Sequence, residues 1–219
     1  MIVNRVLNEV FSAKYNVPVM RVLKNSLIGM SGREISRSAG ISPKACLNSL
    51  TILENLGIVN RIRGGRDHLF FFNRDHYLVK EILIYTFDVE EAFFTSILSE
   101  LKSGLKKFSR GAYIFGSVAR REETIESDLD LCIVYDSAGQ KNTIEKIVAV
   151  MIPALTKRYG IVLSPFYISA SDFNRRIKNK KPPVPEILKE GVRVFGTPIR
   201  ELSNAAKIPA NIRRSRQGK

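Results

Sequence analysis

The sequence has no tryptophan and, in 219 residues, only two cysteines and two histidines. Cys46 and Cys132 fall on separate predicted elements with no Cys or His partner at metal spacing, so a disulfide framework and a zinc site are both excluded. Each reads as a small apolar residue of a reduced compartment, and His68 and His76 are isolated as well. No segment approaches the ~18 uncharged apolar residues of a membrane span, and "MIVNRVLNEVF" lacks the layout of a secretory signal. A cytoplasmic location without a membrane partner is expected. There is no Pro/Ser-rich spacer, low-complexity tract or internal repeat.

Acid is also in short supply, and 35 Lys/Arg against 21 Asp/Glu leave a net charge of +14. The excess sits at the ends. Residues 1–80 hold 12 basic against 5 acidic side chains, residues 81–200 hold 18 against 15, and residues 201–219 hold 5 against 1. This distribution points to polyanion contact by the N-terminal part and by a basic tail expected to be disordered.

What is present begins with "SGREISRSAG". Gly32 to Ala39 predicts a short helix with Ile35 and Ala39 inward, ended at Gly40. "ISPKACLNSLTILENLG" restarts a helix, with Ser42 as N-cap and Pro43 in the first turn. Leu47, Leu50, Leu53 and Leu56 are expected to form its buried stripe, leaving Lys44, Asn48 and Thr51 outward. In "IVNRIRGGRDHLFFF", Gly64-Gly65 predicts a hairpin turn crowded by Arg61, Arg63 and Arg66. This order resembles the winged helix-turn-helix proteins. The resemblance implies double-stranded DNA as a partner, met by Lys44, Asn48, Arg61, Arg63 and Arg66.

Two further helical stretches follow Asn73. In the second, Phe93, Phe94, Ile97, Leu98, Leu101 and Leu105 form an apolar stripe that could pack on a second domain or make a homodimer contact. The expected division is 1–80, 81–200 and a tail at 201–219.

The chemistry lies in "YIFGSVARREETIESDLDLCIVYD". "GAYIF" reads as a strand ending at Gly116-Ser117, where small residues let a phosphate approach backbone N–H groups. After a short helix, "SDLDLCIVYD" alternates, with Asp128, Asp130, Cys132 and Val134 on one face and Leu129, Leu131 and Ile133 on the other. Carboxylates at i and i+2 lie ~7 Å apart on one side of a strand. They can grip a divalent metal, and magnesium prefers a few carboxylates completed by phosphate oxygens and water.

Gly-Ser-x-Ala-Arg, a ten-residue spacer and strand-borne Asp-x-Asp together resemble the minimal nucleotidyltransferases of the polymerase-beta-like superfamily. The resemblance implies an α+β fold, in which an N-terminal winged helix-turn-helix precedes a small mixed-sheet nucleotidyltransferase domain flanked by helices. It implies Mg2+ on Asp128 and Asp130, also the catalytic pair, and an NTP, ATP by expectation, on Gly116, Ser117 and Arg120. The acceptor would be a protein or RNA hydroxyl.

The sequence departs from that family twice. Arg121 stands where a Gly usually follows Ala-Arg, and "YGIVLSPFYIS", the strand expected to supply a third carboxylate, has Ser164 or Phe166 instead. A loop acid such as Asp172 or Glu123 is the alternative source of that carboxylate. Three readings remain open: an enzyme, a DNA-binding regulator whose second domain is catalytically degenerate, and a scaffold with neither activity.

Overall fold

The computed structural model describes residues 2–65, 67–199 and 201–202. The chain separates into two compact units that divide between Phe93 and Phe94, past the 80/81 boundary anticipated from sequence. The first unit extends further because Leu83 and Phe87 are buried in the N-terminal core. Most of the expected basic tail, residues 203–219, lies outside the described residues.

The first unit contains α1 (Val6–Val10), α2 (Asn16–Lys24), β1 (Met30–Ser31), α3 (Gly32–Ser38), α4 (Pro43–Asn55), β2 (Val59–Gly64) and β3 (Asp67–Phe72). Its sheet runs β1-β3-β2, antiparallel throughout. Local chemistry sets the helix starts. The Ser31 hydroxyl accepts from Glu34 N–H while the Glu34 carboxylate accepts from Ser31 N–H, a reciprocal cap on α3. The Ser42 hydroxyl accepts from Ala45 N–H at the start of α4. Between them Gly40 takes φ +64, a left-handed turn that costs glycine little.

Two sequence expectations need correction here. Leu50 and Leu53 are buried, but Leu47 is 51% exposed, and Cys46 and Ser49 complete the inner face of α4. A repeat of three drifts on a helix that turns about 100° per residue, so Leu47 and Leu56 end on opposite sides. In the hairpin, Gly64 pairs with Asp67. Gly64 is thus still part of β2 rather than of the turn.

A π-helical turn, Val79–Leu83, leads into the long α5 (Ile84–Leu105). Of its predicted stripe, Ile97, Leu101 and Leu105 are buried and Phe94 and Leu98 partly so. Phe93, at the division itself, is 44% exposed.

The second unit contains β4 (Gly111–Phe115), α6 (Gly116–Arg120), β5 (Leu129–Tyr135), α7 (Ala138–Tyr159), β6 (Leu163–Ser169), α8 (Ala170–Asn179), α9 (Val184–Glu190) and β7 (Val192–Phe195). The sheet is mixed, in the order β6-β5-β4-β7, with β5 parallel to β6 and the other pairs antiparallel. Parallel neighbours need a long crossover, and α7, capped by the Ser137 hydroxyl, supplies it. Pro185 sits in the first turn of α9, where a missing N–H costs nothing.

The alternation along β5 builds two cores. Leu129, Leu131 and Ile133 join Ile97, Leu101 and Leu105 of α5 and Ile144, Val148 and Leu155 of α7. Cys132 and Val134 join Tyr113, Ile168, Phe173 of α8 and Val184 and Ile187 of α9. Both sheet faces are covered, and the polar exceptions to this pattern lie where β5 begins.

Candidate active site

Strand register assembles the acidic side. Phe115 of β4, Asp130 of β5 and Ser164 of β6 lie opposite one another across the sheet. Asp130 is the half-buried end of the strand face that continues into Cys132 and Val134, while Asp128 immediately precedes the strand and is exposed. No ion pair or side-chain hydrogen bond among the described residues occupies either carboxylate.

The Gly-Ser turn meets this pair. Gly116 follows the last residue of β4 with φ +73, and a Cβ placed on it would run into Asp130 Oδ2 and stand 3.2 Å from Asp130 Cγ. Only glycine combines that backbone conformation with so close an approach. Ser117 follows, half-buried, in the short helix α6, whose start has no side-chain cap. Gly116 and Asp130 are thus brought together, and Ser117 and Asp128 are their chain neighbours.

Arg120 is placed differently from its expected role. Its Nε donates to Glu122 at 2.7 Å and its Nη1 donates to Glu190 at 2.8 Å. These hydrogen bonds raise its already high pKa, so the cation is permanent and compensated by two acids. Glu190 was not found by sequence reasoning. It lies seventy positions away on α9, and no local pattern announces that pairing.

The third acid is missing in space as in sequence. Ser164 holds the place beside Asp130. Asp172 lies beyond Ser169, the β6 residue opposite Tyr135, five strand positions from the Asp130 row. At about 3.3 Å per residue that is roughly 16 Å, and Asp172 is paired with Arg175 at 2.6 Å. Glu123 is exposed in the segment after α6. Among the described residues no group of three His, Cys, Asp or Glu side chains could hold a metal. Two free carboxylates beside a small-residue turn still suit magnesium, which takes one or two protein carboxylates and completes its shell with water and phosphate.

The basic run after β6 is partly used internally. Arg176 stacks over the Phe166 ring at 5.3 Å and donates to the Pro182 carbonyl at 2.6 Å. Burial pushes the neighbouring Cys132 thiol up to about 12, with Arg176 pulling weakly the other way.

In the first unit, Lys44 and Asn48 are exposed on α4 and Arg63 is exposed on β2. Arg61 is exposed too, but its Nε reaches Glu54 at 3.0 Å. Arg66 lies outside the described residues. A hollow of about 280 Å³ beside α4 and the hairpin is lined by Arg33, Leu47, Arg61, His68 and Phe70.

Residues 100–197 match the family model described as polymerase beta, nucleotidyltransferase. The mixed α+β fold of that stretch is consistent with such a domain. Seven chains of solved structures are similar to this one. A toxin–antitoxin crystal structure with AMP-PNP aligns at 12% identity over 55% of this chain and 92% of its own, with a TM-score of 0.36. A mutant of the toxin–antitoxin MntA-HpeT aligns at 12% identity over 56% and 91%, with a TM-score of 0.35. Overlaps this loose say nothing about chemistry. No curated protein matches the chain. No described helix is long and apolar enough to cross a membrane.

Proposed function

We propose that the second unit is a magnesium-dependent nucleotidyltransferase that moves an NMP (AMP, from ATP) to a protein or nucleic-acid hydroxyl, and that the first unit is a winged helix-turn-helix binding duplex DNA. The observation that carries the catalytic half is the backing of the Gly116 turn onto the Asp130 carboxylate. Asp128 and Asp130 would hold the metal, and Gly116 and Ser117 would present small groups and backbone N–H to the triphosphate. Magnesium, when bound, supplies neutralisation of phosphate charge and a pull on the leaving group. In the transfer, the acceptor oxygen bonds to the α-phosphorus as the α–β bridging bond breaks, pyrophosphate departs, and the hydroxyl proton passes to solvent. Arg120 enters only if triphosphate displaces Glu122 or Glu190 from it.

A second reading is favoured by Ser164. With no acid beside Asp130 on β6, the unit would bind metal-nucleotide without turnover and serve a DNA-binding regulator. A general base is typically worth about 10² to 10⁴ in rate, so its absence separates binding from turnover.

One experiment decides between these readings. The full chain is incubated with magnesium, α-labelled NTPs and host protein and RNA, beside Asp128→Ala and Asp130→Ala. Label on an acceptor, lost in both variants, supports transfer. Nucleotide binding lost in both variants, with no label anywhere, supports the regulator. No nucleotide binding at all refutes both.

A further inference from the structure

Four side chains share the outward stripe of α4. At about 100° per residue, Lys44, Leu47, Asn48 and Thr51 fall within one third of the helix circumference, and all four are exposed. Cys46, Ser49, Leu50 and Leu53 occupy the opposite arc and are buried. The inner face is therefore complete without Leu47, which stands outside it at 51% exposure.

The chemistry of the stripe is selective. Thr51 Oγ1 donates to the Leu47 carbonyl at 2.9 Å, which commits its proton to the helix backbone. Asn48 makes no side-chain hydrogen bond among the described residues, so its amide has both a donor and an acceptor to offer. Lys44 is the single cation of the four.

Resting on the DNA-binding reading above, we propose that this stripe reads an adenine–thymine step in the major groove. Asn48 takes adenine, donating to N7 and accepting from the N6 amino group. Leu47, with the methyl group of Thr51 beside it, packs on the thymine C5-methyl. An amide matches the donor–acceptor pair on adenine's major-groove edge, and an apolar side chain suits the thymine methyl. Guanine calls for a cation donating twice, and the stripe's one cation, Lys44, lies in the first turn beside Pro43. There it is suited to a phosphate, a contact that positions the helix without reading sequence.

The test begins by selecting duplexes from a random pool with the full chain at low salt. Binding is then measured on the selected duplex, on the same duplex with deoxyuridine for thymidine, and with Leu47→Ala and Asn48→Ala. An enriched adenine–thymine step is expected. Removal of the thymine methyl should weaken the unaltered protein about three- to fourfold and leave Leu47→Ala indifferent. Asn48→Ala should lose about tenfold and its preference for adenine. Both side chains are exposed, so the variants should melt with the parent; the deoxyuridine duplex tests the unaltered protein regardless. A guanine–cytosine core, or indifference to the methyl group, overturns the base reading and leaves DNA binding standing. Salt-sensitive binding without an enriched sequence does the same. No duplex binding overturns both.

Discussion

At Gly116 a single hydrogen atom in place of a side chain lets the Gly116–Ser117 turn touch β5 at Asp130. Gly116→Ala should therefore act twice. The φ of +73 costs an L-residue about 1–2 kcal/mol, and the new methyl would force the Asp130 carboxylate aside. The expected outcome is a lower denaturation midpoint together with weakened magnesium-nucleotide binding by calorimetry. A variant that binds as the parent does would detach the turn from the site. The cysteines make a contrasting case. Burial raises both thiols, Cys132 to about 12, so at pH 8 neither supplies much thiolate, the reactive form. A colorimetric thiol reagent should react negligibly with the folded chain and with both cysteines after denaturation.

For the strands, register is what matters. Ser164 stands opposite Asp130 on the parallel neighbour, so Ser164→Asp would place a third carboxylate beside the existing pair. If the site turns over, initial-rate assays should show transfer rising by as much as about 10²-fold; if it only binds, tighter manganese binding is the readout. Among the helices, Arg21 of α2 donates from Nε and Nη2 to the two Glu90 oxygens of α5, each at 2.7 Å. That pair, chiefly through the hydrogen bonds from Arg21, holds the Glu90 carboxyl below its ordinary range. A depressed folded pKa stabilises in full above the unfolded value, and the contribution is lost as pH falls through the folded one. Both groups are about half exposed, so the contribution is modest, about 0.2–1 kcal/mol. Thermal melts should separate the parent from Glu90→Gln at pH 7 and bring them together in strong acid.

Over the whole molecule, the +14 charge does not mark a uniform polyanion-binding surface. Arg120, Arg175, Arg158 and Arg110 of the second unit are each paired with carboxylates, whereas Lys44 and Arg63 of the first unit carry no ion pair among the described residues. On the DNA-binding proposal, duplex affinity should fall with salt, and Lys44→Ala or Arg63→Ala should each reduce the slope of log K against log salt by about one. Arg61→Ala should reduce it less, because Glu54 already balances that cation. Titrations by fluorescence anisotropy at several salt concentrations would check this ordering.

The sequence by itself determined α3, α4, the β2–β3 hairpin, β4, β5 and the candidate motif, but not α2 or α8. Caps, turn residues and two-residue alternation are local signals, so Ser42, Gly40 and the β5 pattern could be read directly, and Gly116, Ser117, Asp128 and Asp130 with them. Tertiary structure alone decided where the first core ends along α5, that Ser164 is the residue beside Asp130, and that Glu190 holds Arg120. Each of these depends on packing or pairing between segments far apart in the chain. Glu190 reaches Arg120 from seventy residues away and Ser164 reaches the Asp130 row only through strand pairing, and neither relation leaves a mark near its own position in the chain.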